Sequence, residues 1–213
     1  MYRYLFTLLY AISAVAIGSD GSISKINGSI TIEAGQQAGD VSTVNGSIGI
    51  GDDARVHEVG TVNGSIRVGR RAQAQSVETV NGSVTLEQDA VVGEGVEAVN
   101  GKLTLQRGVR VDGRLENVNG GLVLEGAAVR GGIRTVNGDI RVGAGSRVDG
   151  GILVDKPGGW GWGKSDRLPR VTIESGAVVN GTLRFEREVE LQVGEGAVIG
   201  PLEGVAPKRV ALP

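Results

Sequence analysis

Trp160 and Trp162 stand two residues apart in the stretch DKPGGWGWGKSDRLP, residues 155–169, with Lys156, Lys164 and Arg167 beside them. Two indole faces among cations can stack on a glycan, sit at a membrane surface or anchor a partner protein. The competing reading has the rings folded back over the body of the protein. His57 is the single histidine and there is no cysteine, so a nucleophile, a base and a residue orienting that base cannot all be assembled. Asp52 and Asp53 are adjacent and read as solvated loop acids rather than as a metal pair. No glycine-rich turn links a strand to a helix, and the GGxGxD calcium repeat is missing. These residues point to recognition by a surface, with no reaction and no cofactor.

The chain that must position them has 213 residues, 37 of them glycine, and only 2 Trp, 3 Tyr and 2 Phe. Its core must therefore be built from Ile, Val, Leu and Ala, which suits a narrow, layered interior. The net charge of -2 gives no field for a nucleic acid partner. The opening MYRYLFTLLYAISAVAIGS carries one cation, Arg3, ahead of an apolar run with Ala14 and Ala16 at A-x-A spacing. That pattern predicts a signal peptide over residues 1–16, cleaved after Ala16. The alternative is an uncleaved membrane anchor, although the run falls short of the ~20 residues that a spanning helix needs. The expected location is outside the cytosol: periplasm, cell surface or medium.

Behind that segment the sequence repeats. Asn-Gly pairs begin at Asn27, Asn45, Asn63, Asn81, Asn100, Asn119 and Asn137, in steps of 18, 18, 18, 19, 19 and 18, and another follows at Asn180. Counting by six from Ile26 to Val92 meets only apolar residues. Neither a helical period nor long alternation fits; three six-residue sides per turn do. One side pairs Ile48 with Ile50, Ile66 with Val68 and Val84 with Leu86, the alternation of a short strand with one buried face. A second pairs Ala54 with Val56 and Ala90 with Val92. The third pairs Val59 with Val62 and Val77 with Val80 as inward residues, and its wider gap predicts a bulge.

The Asn-Gly pairs read as corners, because Asn tolerates a left-handed backbone and Gly adopts one freely. Five of them (Asn27, Asn45, Asn63, Asn81 and Asn180) also match the N-glycosylation acceptor, but the turn explanation suffices. In TVN, Thr and Asn are expected to point outward around an inward Val. Such a ladder of hydroxyls is what ice-binding solenoids use, but Ala98 and Asn117 interrupt it.

The runs VTIESGAVVNGTLRF, VELQVGEGAVIG, AVVGEGV and GVRVDGRLENVNG resemble the bactofilins, and the recurring VNGxI turns also resemble secreted adhesin-type repeat proteins. The bactofilin resemblance, over roughly residues 23–200, implies a right-handed triangular β-helix that polymerises end to end without nucleotide. The six-residue beat is also similar to that of hexapeptide-repeat acyltransferases, whose left-handed coils generally use a seam histidine; His57 is the only one to offer here. Periodicity alone leaves the hand open.

The expected architecture is an all-β, triangular single-chain β-helix (β-solenoid) of about 18–19 residues per coil. Coils occupy residues 17–154 and 170–200, the Trp-containing insertion 155–169, and a cap or tail 201–213. The expected function is that of an exported, non-enzymatic structural protein associating with itself through its coil ends. The competing function is an adhesin-like binding module using Trp160 and Trp162.

Overall fold

Each six-residue side of the repeat becomes one short strand, and equivalent strands of successive coils pair in parallel. The computed structural model describes residues 16–17, 21–157 and 167–212. They form a parallel β-solenoid of about nine turns with three sheets and no helix. Face A carries Ile23–Asn27, Val41–Asn45, Glu58–Asn63, Ser76–Asn81, Val96–Asn100 and Leu115–Asn119, and continues through Ile133–Thr135, Ile152–Val154 and Leu183–Phe185 to Leu202–Gly204. Face B runs from Ile30–Ile32 to Lys208–Arg209 and holds the Ile/Leu pairs. Face C runs from Gln73–Ala74 to Val198–Ile199, extended towards the N-terminal end by bridges joining Gln37, Arg55 and Gln73. The register is like on like: Val84 pairs with Ile66 and Leu103, and Leu86 with Val68 and Leu105. The core is a stack of aliphatic layers, because the side-chain period of two sends alternate residues of each strand inward.

Face A departs from the expected pattern. Its inward residues are Val59 and Thr61 rather than Val59 and Val62: Thr61 is 1% exposed, while Val62 is half-buried and lies at the bend. Thr43 and Thr79 are equally buried. A threonine tolerates this site because its hydroxyl satisfies a backbone acceptor one coil back. Thr43 Oγ1 donates to the Gly28 carbonyl (3.1 Å), Thr61 to Gly46 (2.9 Å) and Thr79 to Gly64 (3.1 Å). The hydroxyl ladder is thus inside the wall and presents no outward array.

The corners also work differently. No corner Asn has a positive φ; the left-handed non-glycine residues are Asp53 (59°), Arg71 (56°) and Asp89 (61°), at the corner between faces B and C. Gly35, Gly108, Gly126 and Gly145 hold the same place in other coils, all with positive φ. At the Asn-Gly corner most glycines are needed for close stacking instead. A Cβ on Gly64 would lie 1.9 Å from the Gly46 carbonyl oxygen, and one on Gly82 1.9 Å from that of Gly64. Asn180 belongs to another corner, between faces C and A, where its Nδ2 donates to Asp149 Oδ1 (2.7 Å).

The two ends of the stack differ. At the first coil, Ala16–Ile17 pairs antiparallel with Ile23–Asn27, Ile17 opposite Ile23. At the other end, Leu202–Gly204 adds to face A and Lys208–Arg209 to face B, so residues 201–212 continue the winding.

Candidate interaction surfaces

Of the residues expected to bind a partner, Trp160 and Trp162 lie outside the described residues, as do Lys164 and most of the expected signal segment. The flanks of the insertion are described. Lys156 is exposed, and the Arg167 guanidinium pairs with Asp139. Asp155, where the chain leaves face A, receives a bond from Arg134 Nε (2.5 Å).

His57 is exposed, with Nδ1 2.8 Å from Asp40 Oδ1 on the preceding coil, and that bond raises its pKa above the ordinary histidine value. Asp52 and Asp53 each face an arginine one coil on. Arg70 Nε and Nη2 both donate to Asp52 Oδ2 (2.9 and 2.7 Å), and Arg71 Nε and Nη2 donate to Asp53 Oδ1 and Oδ2 (2.8 and 2.6 Å). Those bonds hold both carboxyls below the usual aspartate range. Among the described residues no group of three His, Asp or Glu side chains could hold a metal ion.

The corner Asn residues form one continuous amide ladder. Each Nδ2 donates to the Oδ1 of the preceding coil: Asn45 to Asn27, Asn63 to Asn45, Asn81 to Asn63, Asn100 to Asn81, Asn119 to Asn100 and Asn137 to Asn119, all at 2.9–3.0 Å. Each amide thus spends one N–H and its oxygen on its neighbours, which makes the ladder a structural spine along the rod.

The outer side of face A carries an arrangement that the apolar repeat does not encode. Glu78, Glu97 and Glu116 are in register on three successive coils, each half-buried. Beside them runs the column of bend valines, Val80, Val99, Val118 and Val136, also half-buried although they face outward. Glu116 lies 3.5 Å from Arg114 Nη1 and 3.9 Å from Arg134 Nη1. Glu78 and Glu97 have neither a hydrogen bond nor an ion pair among the described residues. Burial, followed by the neighbouring Glu97, pushes Glu78 up to about 7; burial and then Glu116 raise Glu97. The signal was readable, since the three glutamates recur at steps of 19 residues, but a search for apolar periodicity passes over outward positions.

The C-terminal end is the other notable surface. Among the described residues, Val198–Ile199, Leu202–Gly204 and Lys208–Arg209 are the last strands of their sheets, each with a neighbour on one side only. Val198 is 53% exposed and Val205 40%, whereas the core layers behind them are closed to solvent.

No family model, no curated protein and no solved structure matches this chain.

Proposed function

We propose that this protein is an exported, non-enzymatic structural β-helix that assembles end to end into a scaffold, as its resemblance to the bactofilins implies. The C-terminal end carries the reading. An uncovered strand edge is a template for another strand, and here three edges lie around exposed Val198 and Val205. A second coil stack placed there extends the hydrogen-bond ladders and covers the valines in one step. The flank of the stack offers no comparable template, because its strand edges are already paired coil to coil. Export is supported by the single cation, apolar run and A-x-A spacing of residues 1–16.

The test is negative-stain electron microscopy of the full chain across a concentration series, beside a Val198→Asp/Val205→Asp variant. Filaments or paired rods from the wild type, and single short rods from the variant with unchanged circular dichroism, are the expected outcome. Single rods from both proteins at every concentration would sink the assembly reading and turn attention to Trp160 and Trp162.

A further inference from the structure

Face A contains an aliphatic column that runs the length of the rod. Ile23, Val41 and Val59 begin it and Ile152, Leu183 and Leu202 end it, each residue opposite the next across a parallel pair. A second copy stacked in the same sense on the Ile23 end sets its own Leu202 on Ile23 and continues the column without a change of register. Face B makes a poorer joint, since its matching column starts at Ile30 and ends at Arg209. Face A therefore decides whether two ends fit.

That place is taken. Ile17 sits opposite Ile23 and Ala16 opposite Ser24, in the one antiparallel pair among the described strands. Ile17 thus stands where Leu202 of a second copy would stand. Polarity matters as well, because a further coil must run parallel to the strand it joins, and Ala16–Ile17 presents the opposite direction. The two ends also differ in exposure: Ile30 and Ile32, the first inward residues of face B, are 3% and 2% exposed, against 53% for Val198 at the other end. The N-terminal end is closed and the C-terminal end open.

The expected signal cleavage falls between these same two residues. Hydrolysis of the Ala16–Ile17 peptide bond by a signal peptidase, with water supplying the new carboxylate oxygen and the amine proton, divides the strand. Ala16 leaves with the leader. Ile17 stays as a lone residue with a titratable α-amine, too little to hold a strand edge. We propose that Ala16–Ile17 is a removable cap on the edge that receives a second copy of this chain. In the unprocessed chain it bars head-to-tail growth, and cleavage admits the Leu202–Gly204 strand of the next copy. The cap rests on the end-to-end and export readings proposed for this protein, to which it adds which end receives a copy and when. Unprocessed chain is thereby limited to pairing through its open C-terminal ends.

The chain has no cysteine, so a disulfide staple across the cap is unambiguous. Opposed residues of an antiparallel pair have Cα atoms about 4.5–5.5 Å apart, within the disulfide range. Full-length Ile17→Cys/Ile23→Cys, oxidised, locks the cap, and full-length Ile17→Asp loosens it by setting a carboxylate against Ile23. Negative-stain images should show chains of three or more rods about tenfold more often in Ile17→Asp than in the stapled protein. The stapled protein should form pairs at most, and reduction should return it to the wild-type distribution. Equal length distributions in the stapled protein and Ile17→Asp, with Val198→Asp/Val205→Asp still shortening the assemblies, would overturn the cap and leave end-to-end assembly standing. Single rods from every protein would overturn both. Failure of the two cysteines to join on oxidation would show that Ile17 does not face Ile23, and would overturn the cap alone. Circular dichroism verifies folding. Should the double variant fail to fold, Ile17→Asp against wild type decides, equal distributions overturning the cap.

Discussion

Arg187 Nη1 donates to Asn137 Oδ1 at 2.8 Å, although the two residues are 50 positions apart. Asn137 is the last rung of the amide ladder. The next coil supplies no amide because its chain leaves face A at Asp155 after Ile152–Val154, and so the acceptor would stand open. Arg187 belongs to the coil beyond, after Leu183–Phe185, and its long arm spans the gap. A second contact to the Val136 carbonyl (3.3 Å) holds the guanidinium in place. The interrupted spine is thus closed by a residue that carries no trace of the repeat.

Arg187→Ala should therefore destabilise the C-terminal half of the rod. A half-buried acceptor loses a charged donor, a loss of about 1.5–3 kcal/mol. Denaturant unfolding gives the magnitude. Hydrogen exchange should place the loss around residues 133–155 and 183–190, leaving the first four coils as protected as before.

The ladder has a direction, and that predicts an asymmetry. Asn63 both donates to Asn45 and accepts from Asn81, so Asn63→Asp sets a carboxylate against an acceptor. Asn27 only accepts, from Asn45, and Asp can still do so. Asn63→Asp should cost about 2–3 kcal/mol at neutral pH and less in acid, where the protonated group donates again. Asn27→Asp should be close to neutral. Melting curves of the two variants at pH 4 and pH 7.5 separate a directional ladder from a row of interchangeable turn residues.

The acid column makes stability fall as pH rises. The folded-state pKa of Glu78, about 7, lies above its ordinary value of 4.5. Its contribution to stability is therefore complete below about pH 4.5 and lost as the pH climbs through 7. Because the side chain is half-exposed, solvent screening limits the effect to about 1 kcal/mol. Glu78→Gln should raise the melting temperature at pH 8, leave it unchanged at pH 4, and flatten the profile between. A profile identical to that of the wild type would mean that Glu78 titrates as an ordinary surface glutamate.

Much of the fold was legible because a solenoid writes its geometry into the period. The inward pairs of faces B and C, such as Ile66 with Val68 and Ala90 with Val92, are aliphatic and alternate, and both are buried. Face A was misread where hydrophobicity and hydrogen bonding compete. Val62 is more apolar than Thr61, yet Thr61 is the one inside, since only its hydroxyl can serve the Gly46 carbonyl. The left-handed corner is not legible in the sequence because Gly35, Asp53, Arg71, Asp89 and Gly108 share no chemistry, only a spacing of 18 or 19 residues and a positive φ. Glu78, Glu97 and Glu116 were visible as letters. Their half-burial comes from the bend that turns the valine column outward beside them, and apolar periodicity does not encode that bend.

The two kinds of corner glycine provide the last test, because the same substitution meets different obstacles. Gly145 has a φ of +72° and open space where a Cβ would go, so Ala there suffers only the left-handed penalty of about 1–2 kcal/mol. Gly64 has no such φ, but its Cβ would fall 1.9 Å from the Gly46 carbonyl oxygen. That atom is backbone, fixed by the coil stacking on both sides, and cannot swing away as a side chain would. Gly64→Ala must push two coils apart and break the local bonds of the amide ladder, costing more than about 3 kcal/mol. If the Asn-Gly corner needed glycine for its backbone angle alone, the two substitutions would cost the same. Denaturant midpoints with equal m-values, Gly64→Ala well below Gly145→Ala, would establish that the repeated glycine is there for the spacing between coils.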